Sequence, residues 1–301
     1  MRFRTRSRLT GHKAAIFTML TDADDRHVWT GGGDGWVVRW DLDAPDLGRL
    51  VADVKGRVFS MAMGVEDGSL LLGDMDGGVH WVFPSETGRN QDLWGHRGSV
   101  FAVLRSGEHV FTAGGDGKLT RWHAESCRAT ESLTLSHRSL RCLAVSPERR
   151  EMAVGGSDAS IYLLDLDTLA LRQVIRDAHI PSVFCLAYSP GGNWLVSGGR
   201  DAHIRIWSPD GSGGAVRDIP AHLFTVNSLC FHPVWPVFAS GSRDKTIRIW
   251  DTDGFRLVKV LEGVRDGGHF HSVNTLVWAR GGTRLISGSD DRTAVVWEVS
   301  G

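Results

Sequence analysis

Apolar positions in this chain come in short runs broken by Gly, Asp, Asn, Ser and Pro. VNSLCFHP, WLVSGG and HIRIWS show the pattern: β-branched or aromatic residues between turn formers. Such runs predict β-strands. No stretch sustains a long 3.6-residue period, so little helix is expected. The pattern predicts an all-β chain.

The pattern also repeats. TGGGDGWVVRWD (30–41), TAGGDGKLTRWH (112–123), VGGSDASIYLLD (154–165), SGGRDAHIRIWS (197–208), SGSRDKTIRIWD (240–251) and SGSDDRTAVVWE (287–298) align on their Asp. LGDMDGGVHWVF (72–83) is a weaker seventh copy. The last large residue of each is Trp40, Val82, Trp122, Leu164, Trp207, Trp250 or Trp297, and successive positions lie 40 to 47 residues apart. A second mark precedes each copy: Gly11-His12, Gly95-His96, Ser136-His137, Ala178-His179, Ala221-His222 and Gly268-His269. The second copy has Val54 there instead.

A period near 40–45 with a Gly-His opening and a Trp-Asp ending resembles the WD-repeat family over essentially the whole chain. The resemblance implies one seven-bladed β-propeller over residues 1–301, with four antiparallel strands per blade. It also implies that each repeat supplies the outer strand of one blade and three inner strands of the next. Residues 2–9 are then expected as the outer strand of the last blade, which removes an open edge. No further domain, coiled coil or F-box-like segment is read in the chain.

Four residue types fall at fixed places in five copies: His12, Thr30, Asp34, Trp40; His96, Thr112, Asp116, Trp122; His179, Ser197, Asp201, Trp207; His222, Ser240, Asp244, Trp250; and His269, Ser287, Asp291, Trp297. In the family such residues form a hydrogen-bonded network within the blade, and the resemblance implies it here. Buried polar groups need partners, so a satisfied network fixes geometry. Ser, His and Asp together also suggest a hydrolase triad. Five near-identical sets point to architecture instead. Blade four keeps His137 and Asp158 but has Val154 and Leu164, and blade two keeps only Asp76. Apolar packing is expected to replace their networks.

Composition changes the picture little. Net charge is −1, so no whole-molecule field favours nucleic acid or membrane. No apolar run reaches the length of a membrane-spanning helix. The basic N-terminus lacks the apolar core of a secretory signal. Cys127, Cys142, Cys185 and Cys230 form no C-x-x-C pair; buried thiols in a reducing, cytoplasmic setting are expected. GGGDG (31–35) lacks the Lys-Ser/Thr of a phosphate loop. His269-Phe270-His271 is read as one structural and one loop histidine, and Asp290-Asp291 as one surface and one structural acid. No catalytic residue, metal or cofactor is expected.

Function must then sit on a surface. By the resemblance, the top face exposes residues just after each His and just before each Asp. Lys13, Lys55, Arg57, Arg97 and Arg138 give blades one to four a basic arc. Ile180, Leu223, Phe224 and Phe270 give blades five to seven an apolar one, flanked by Arg200, Arg243 and Asp290. The opposite face carries acids: Asp22, Asp24, Asp25, Asp41, Asp43, Asp46, Glu66, Asp67, Asp165, Asp167, Asp251 and Asp253. The expected function is a non-catalytic scaffold, monomeric by itself, holding an acidic partner segment with apolar anchors. Nucleic-acid binding through the basic arc is the alternative. A ubiquitin-ligase receptor is disfavoured, because Asp43 and Asp253 stand where that subgroup has Arg.

Overall fold

A computed structural model describes residues 1–45, 47–66, 68–208, 210–211 and 214–301. Asp46 and Asp67 of the acidic set lie outside these, as do parts of the Gly/Ser loop at 208–216.

Strand β1 (Arg2–Thr10) begins the chain. Blade one holds β2 (Ile16–Thr21), β3 (His27–Gly32), β4 (Trp36–Asp41) and β5 (Arg49–Asp53). Blade two holds β6 (Val58–Met63), β7 (Leu70–Asp74), β8 (Gly78–Val82) and β9 (Gln91–Trp94). Blade three holds β10 (Val100–Ser106), β11 (His109–Gly114), β12 (Lys118–His123) and β13 (Arg128–Thr134). Blade four holds β14 (Leu140–Ser146), β15 (Glu151–Gly156), β16 (Ile161–Asp165) and β17 (Leu171–Ile175). Blade five holds β18 (Val183–Tyr188), β19 (Leu195–Gly199), β20 (His203–Trp207) and β21 (Ala215–Pro220). Blade six holds β22 (Val226–Phe231), β23 (Val237–Ser242), β24 (Ile247–Asp251) and β25 (Leu257–Leu261). Blade seven holds β26 (Val273–Ala279), β27 (Arg284–Ser289) and β28 (Thr293–Ser300), and β1 is its outer strand.

Every sheet is antiparallel and, apart from β1, its strands run in sequence order from the centre outward. The inner strands β2, β6, β10, β14, β18, β22 and β26 meet their neighbours in a closed circle. β1 pairs with β28 from Arg2↔Ser300 to Thr10↔Thr293, with a register shift at Thr5/Ser7. Leu9 is its buried residue, while Arg8 donates to the Gly267 and Gly268 carbonyls. The only α-helix among the described residues is the four-residue α1 (Gly263–Asp266).

Blades pack by apolar faces, which is why small residues recur on second strands. A Cβ on Gly73 would stand 2.6 Å from Val100 of the next blade, and one on Gly198 2.7 Å from Val226. Cys142 and Cys185 are buried in this layer, Cys230 is partly so, and all four thiols are free. Burial pushes the Cys142 thiol up to about 12.

Each inner strand also shifts register at its second residue, for example between Val58/Ser60 and Leu140/Cys142. The same shift occurs in the other five. A bulge leaves one residue unpaired and re-aims its side chain. Here that residue is Phe17, Phe59, Phe101, Arg141, Phe184, Asn227 or Asn274, all at the top of the ring.

Candidate functional site

The top face is made by the links that carry the histidines and by the tight turns that carry the aspartates. Five complete tetrads hold these two sets of loops together. In blade one His12 Nε2 lies 2.8 Å from Thr30 Oγ1, Trp40 Nε1 donates to the same oxygen at 2.9 Å, and His12 Nδ1 lies 3.0 Å from Asp34. Blades three, five, six and seven repeat this. The histidine–hydroxyl distance runs from 2.7 to 2.9 Å, and the indole–hydroxyl distance from 2.8 to 3.0 Å. His96, His179, His222 and His269 reach Asp116, Asp201, Asp244 and Asp291 at 2.8–2.9 Å. A neutral imidazole protonated on Nδ1 satisfies the chain: indole to hydroxyl, hydroxyl to Nε2, Nδ1–H to carboxylate.

Each aspartate then spends its remaining lone pairs on backbone. Asp34 accepts from the amides of Lys13 and Trp36, and Asp116 from those of Arg97 and Lys118. Asp201 accepts from Ile180 and His203, and Asp244 from Leu223 and Thr246. The amides it grips belong to Lys13, Arg97, Ile180 and Leu223, so the network fixes the backbone of the residues that face solvent. The five hydroxyls, Thr30, Thr112, Ser197, Ser240 and Ser287, are fully buried. No substrate can reach them, which removes the triad reading of these sets.

Burial alone would raise the Asp201, Asp244 and Asp291 carboxyls. The hydrogen bonds and charge of His179, His222 and His269, together with neighbouring side-chain and backbone donors, outweigh it and hold all three well below the usual range. Burial pulls His179 and His222 down despite those same partners. The neutral ring of the relay is therefore the favoured state.

Blades two and four correct the sequence reading. In blade two the gripping acid is Asp74, not Asp76: Asp74 is buried and accepts from the Asp76 and Gly78 amides, while Asp76 is exposed. Its histidine is His80 on β8, 3.0 Å from Asp74 and 2.6 Å from Asp92. Burial pushes His80 down, but hydrogen bonds to the two acids raise it overall. In blade four His137 is exposed and takes no part. Ser136 fills the histidine's place, 22 residues before Asp158, and donates to it at 2.6 Å. Tyr162 donates to the same carboxylate at 2.5 Å. Apolar packing replaces only the hydroxyl and indole: Leu72, Val82, Val154 and Leu164 are all buried. A polar grip on the turn survives in both blades.

The structure places Lys13, Lys55, Arg57, Arg97, Arg138, Ile180, Arg200, Leu223, Phe224, Arg243, Phe270 and Asp290 on the top face, all exposed. Ile180 and Leu223 are 74% and 79% exposed, a large apolar display for a surface. None of these cations joins an ion pair among the described residues; Lys13 lies over the Trp36 ring at 4.4 Å. The opposite face differs. There Asp41 meets Arg26, Asp43 meets Arg280 and Arg284, Glu66 meets Arg89, Asp165 meets Arg172, Asp167 meets Arg150 and Asp251 meets Arg256. Arginines thus offset six of the ten expected acids that lie among the described residues.

Sequence reading missed the mouth of the central channel. The bulge residues meet across blades: Phe17 and Phe59 rings are 5.1 Å apart, and Phe59 stacks on Phe101 at 5.7 Å. The Arg141 guanidinium lies 4.1 Å from the Phe101 centroid and 5.4 Å from that of Phe184. Its Nε donates to Ser157, and no carboxylate pairs with it among the described residues. Burial and nearby Arg200 both lower its pKa, though an arginine stays charged. Asn227 and Asn274 close the circle with bonds to Ser272 and Asp290. The signal was the residue after the first apolar position of each inner strand, which recurs at the repeat's own period. No cluster of His, Cys, Asp or Glu fit for a metal occurs among the described residues.

Comparison with known proteins agrees with this architecture. The family model "WD domain, G-beta repeat" matches residues 172–208, 213–251 and 256–298. The solved WD40 β-propeller domain of Doa1 aligns with 99% of this chain and 97% of its own, at a TM-score of 0.86 and 22% identity. Echinoderm microtubule-associated protein-like 3 of Homo sapiens is 26% identical over 175 residues, 55% of this chain and 18% of that protein. An F-box/WD-40 repeat-containing protein of Arabidopsis thaliana is 27% identical over 186 residues, 57% of this chain and 33% of that protein. The chain thus spans a third or less of those two relatives. Each matched repeat starts at or beside an outer strand and ends on or just past the third strand of the next blade, the offset that closes this ring: residues 172–298 carry WD repeats, and the described chain folds throughout as a seven-bladed WD40-type β-propeller.

Proposed function

We propose that this propeller is a non-catalytic protein-interaction scaffold whose top face binds an acidic partner segment with apolar anchors. WD40 propellers are generally scaffolds for other proteins. The observation that carries the finer reading is Arg141, a half-buried guanidinium between two phenyl rings with no carboxylate partner among the described residues. Arg200 lies near it, and Arg97, Arg138 and Arg200 on the same face are likewise without an ion pair among the described residues. A desolvated guanidinium binds a carboxylate far better than an exposed one. Ile180, Leu223, Phe224 and Phe270 then offer apolar area across the channel, and the cations steer approach.

Quantitative affinity capture tests this, comparing wild type with Arg97→Glu/Arg138→Glu and with Arg150→Glu on the opposite face. Partners lost only in the double variant support the reading. Retention of every captured protein by the double variant would overturn it.

One observation favours nucleic acid as a second reading: Phe59 and Phe101 place aromatic rings beside the basic arc. They stack on each other rather than offering open faces, which weakens base stacking. Binding of a single-stranded oligonucleotide that falls steeply with salt would favour this reading over the first.

A further inference from the structure

In a regular blade the indole fills a defined space beside the outer strand. Trp40 sits against Gly11 and Gly48, where an added Cβ would stand 3.4 and 2.6 Å from the ring. Trp122 sits the same way against Gly95, and Trp297 against Gly268. Small residues leave that space for the ring. By the repeat's spacing, blade two has Asp53 in place of Gly11, Asn90 in place of Gly48 and Val82 in place of Trp40.

The consequence is an open cleft of ≈ 590 Å³ between the outer strands of blades one and two. Val51, Val54, Val82 and Leu93 supply apolar wall, and His80 with Asn90 supplies polar groups. Trp94 belongs to the same lining and is 78% exposed on the short strand β9. Asp53, Asp76 and Asp92 are exposed around the cleft and Asp74 is buried in its wall, against Lys55 and His80, so its local charge is negative.

We infer that this cleft is a second docking site, which takes an aromatic side chain of a partner polypeptide flanked by Lys or Arg. Asp53 and Asn90 stand where glycines admit the sister rings, so an entering ring seats not in the sister pose but toward the open side of the cleft, beside the exposed Trp94. An entering ring gains the burial that Val82 forgoes and packs edge or face against Trp94. The Asp92 carboxylate and its neighbours receive the flanking cation. This chemistry is opposite in charge to that of the top face, so the two sites select different segments.

The probe is the capped pentapeptide Ala-Arg-Trp-Lys-Ala, with Ala-Arg-Ala-Lys-Ala as control. Binding is read from methyl NMR shifts of Val51, Val54 and Val82. The tryptophan peptide is expected to shift these methyls and saturate in the range of roughly 0.1–1 mM, with the control at least about tenfold weaker. Val82→Trp/Asn90→Gly restores the indole–glycine pair of blade one, places an indole in the cleft from within and is expected to abolish the shifts of Val51 and Val54. Trp94→Ala keeps the cleft, guards against misfolding of the first variant, and is expected to weaken binding several-fold. Equal binding of the two peptides would overturn the inference. So would unchanged affinity in Trp94→Ala, or shifts confined to top-face residues.

Discussion

Blades one, three, five, six and seven carry complete tetrads, whereas blades two and four carry remnants. The difference separates what a blade needs from what merely strengthens it. Hydroxyl and indole are absent from both irregular blades, and buried Leu72, Val82, Val154 and Leu164 stand in without loss of the strands. A carboxylate gripping the turn amides is never absent: Asp74 and Asp158 do it as Asp34 does. The replacement partner comes from one place in both cases. His80 and Tyr162 each stand on the third strand, four residues after the repeat's aligned Asp. Arg205 occupies that position in blade five and already bonds Asp201 at 2.8 Å. The third strand is thus a second source of donors: His80 acts where the link of blade two supplies none, Tyr162 beside Ser136, and Arg205 beside His179.

The largest expected effect separates the two classes of blade. Ser240→Ala leaves the Trp250 N–H and a His222 nitrogen unpaired in a buried site, a loss of about 2–4 kcal/mol. Val154→Ala at the matching place in blade four removes only apolar contacts, about 1–2 kcal/mol. Urea unfolding of both variants measures the contrast, and equal losses would show that the tetrad adds nothing beyond packing. A smaller effect tests which acid serves blade two. Asp74→Asn is expected to cost about 1–3 kcal/mol, and Asp76→Asn no more than about 0.5 kcal/mol. The reverse order would restore Asp76 as the structural acid.

The smallest effect has opposite signs in the two classes. His179 and His222 lie below the ordinary 6.5, so their contribution is full above that value and lost as pH falls through their lowered ones. His80 lies above 6.5, so its contribution is full below that value and lost as pH rises through its raised one. Amide exchange protection, corrected for intrinsic rates, should fall in blade two as pH rises above the ordinary histidine value of 6.5. In blades five and six it should instead rise modestly as pH climbs toward 6.5 from below. A parallel trend in all three would contradict the assignment of His80.

Much of this was legible because the repeat encodes it directly. The Trp, hydroxyl and Asp positions are set by sequence spacing within two adjacent strands, so period alone locates them. Exposure of the top-face set followed from the same spacing. Three features escaped for physical reasons. Asp74 and Asp76 both precede a Gly-rich turn, and only backbone geometry decides which carboxylate turns inward. His137 looked like the link histidine, yet one residue of offset in an extended link reverses its direction. The channel ring depends on bulges, which break the two-residue alternation that strand reading relies on. The ion pairs of the opposite face join residues from different turns, and a list of acids does not reveal them.

The pairing of β1 with β28 has a consequence measured in time. β1 leaves the ribosome before the rest of the ring, and its partner strand follows roughly 280 residues later. At about 5–20 residues per second, that interval is on the order of 15–60 s. Throughout it Arg2–Thr10 has no sheet to join, and the ring stands open beside blade one. The nascent chain must therefore stay unentangled until β28 arrives, and the four arginines at alternate positions of β1 give the waiting segment a charge that keeps it apart from other edges.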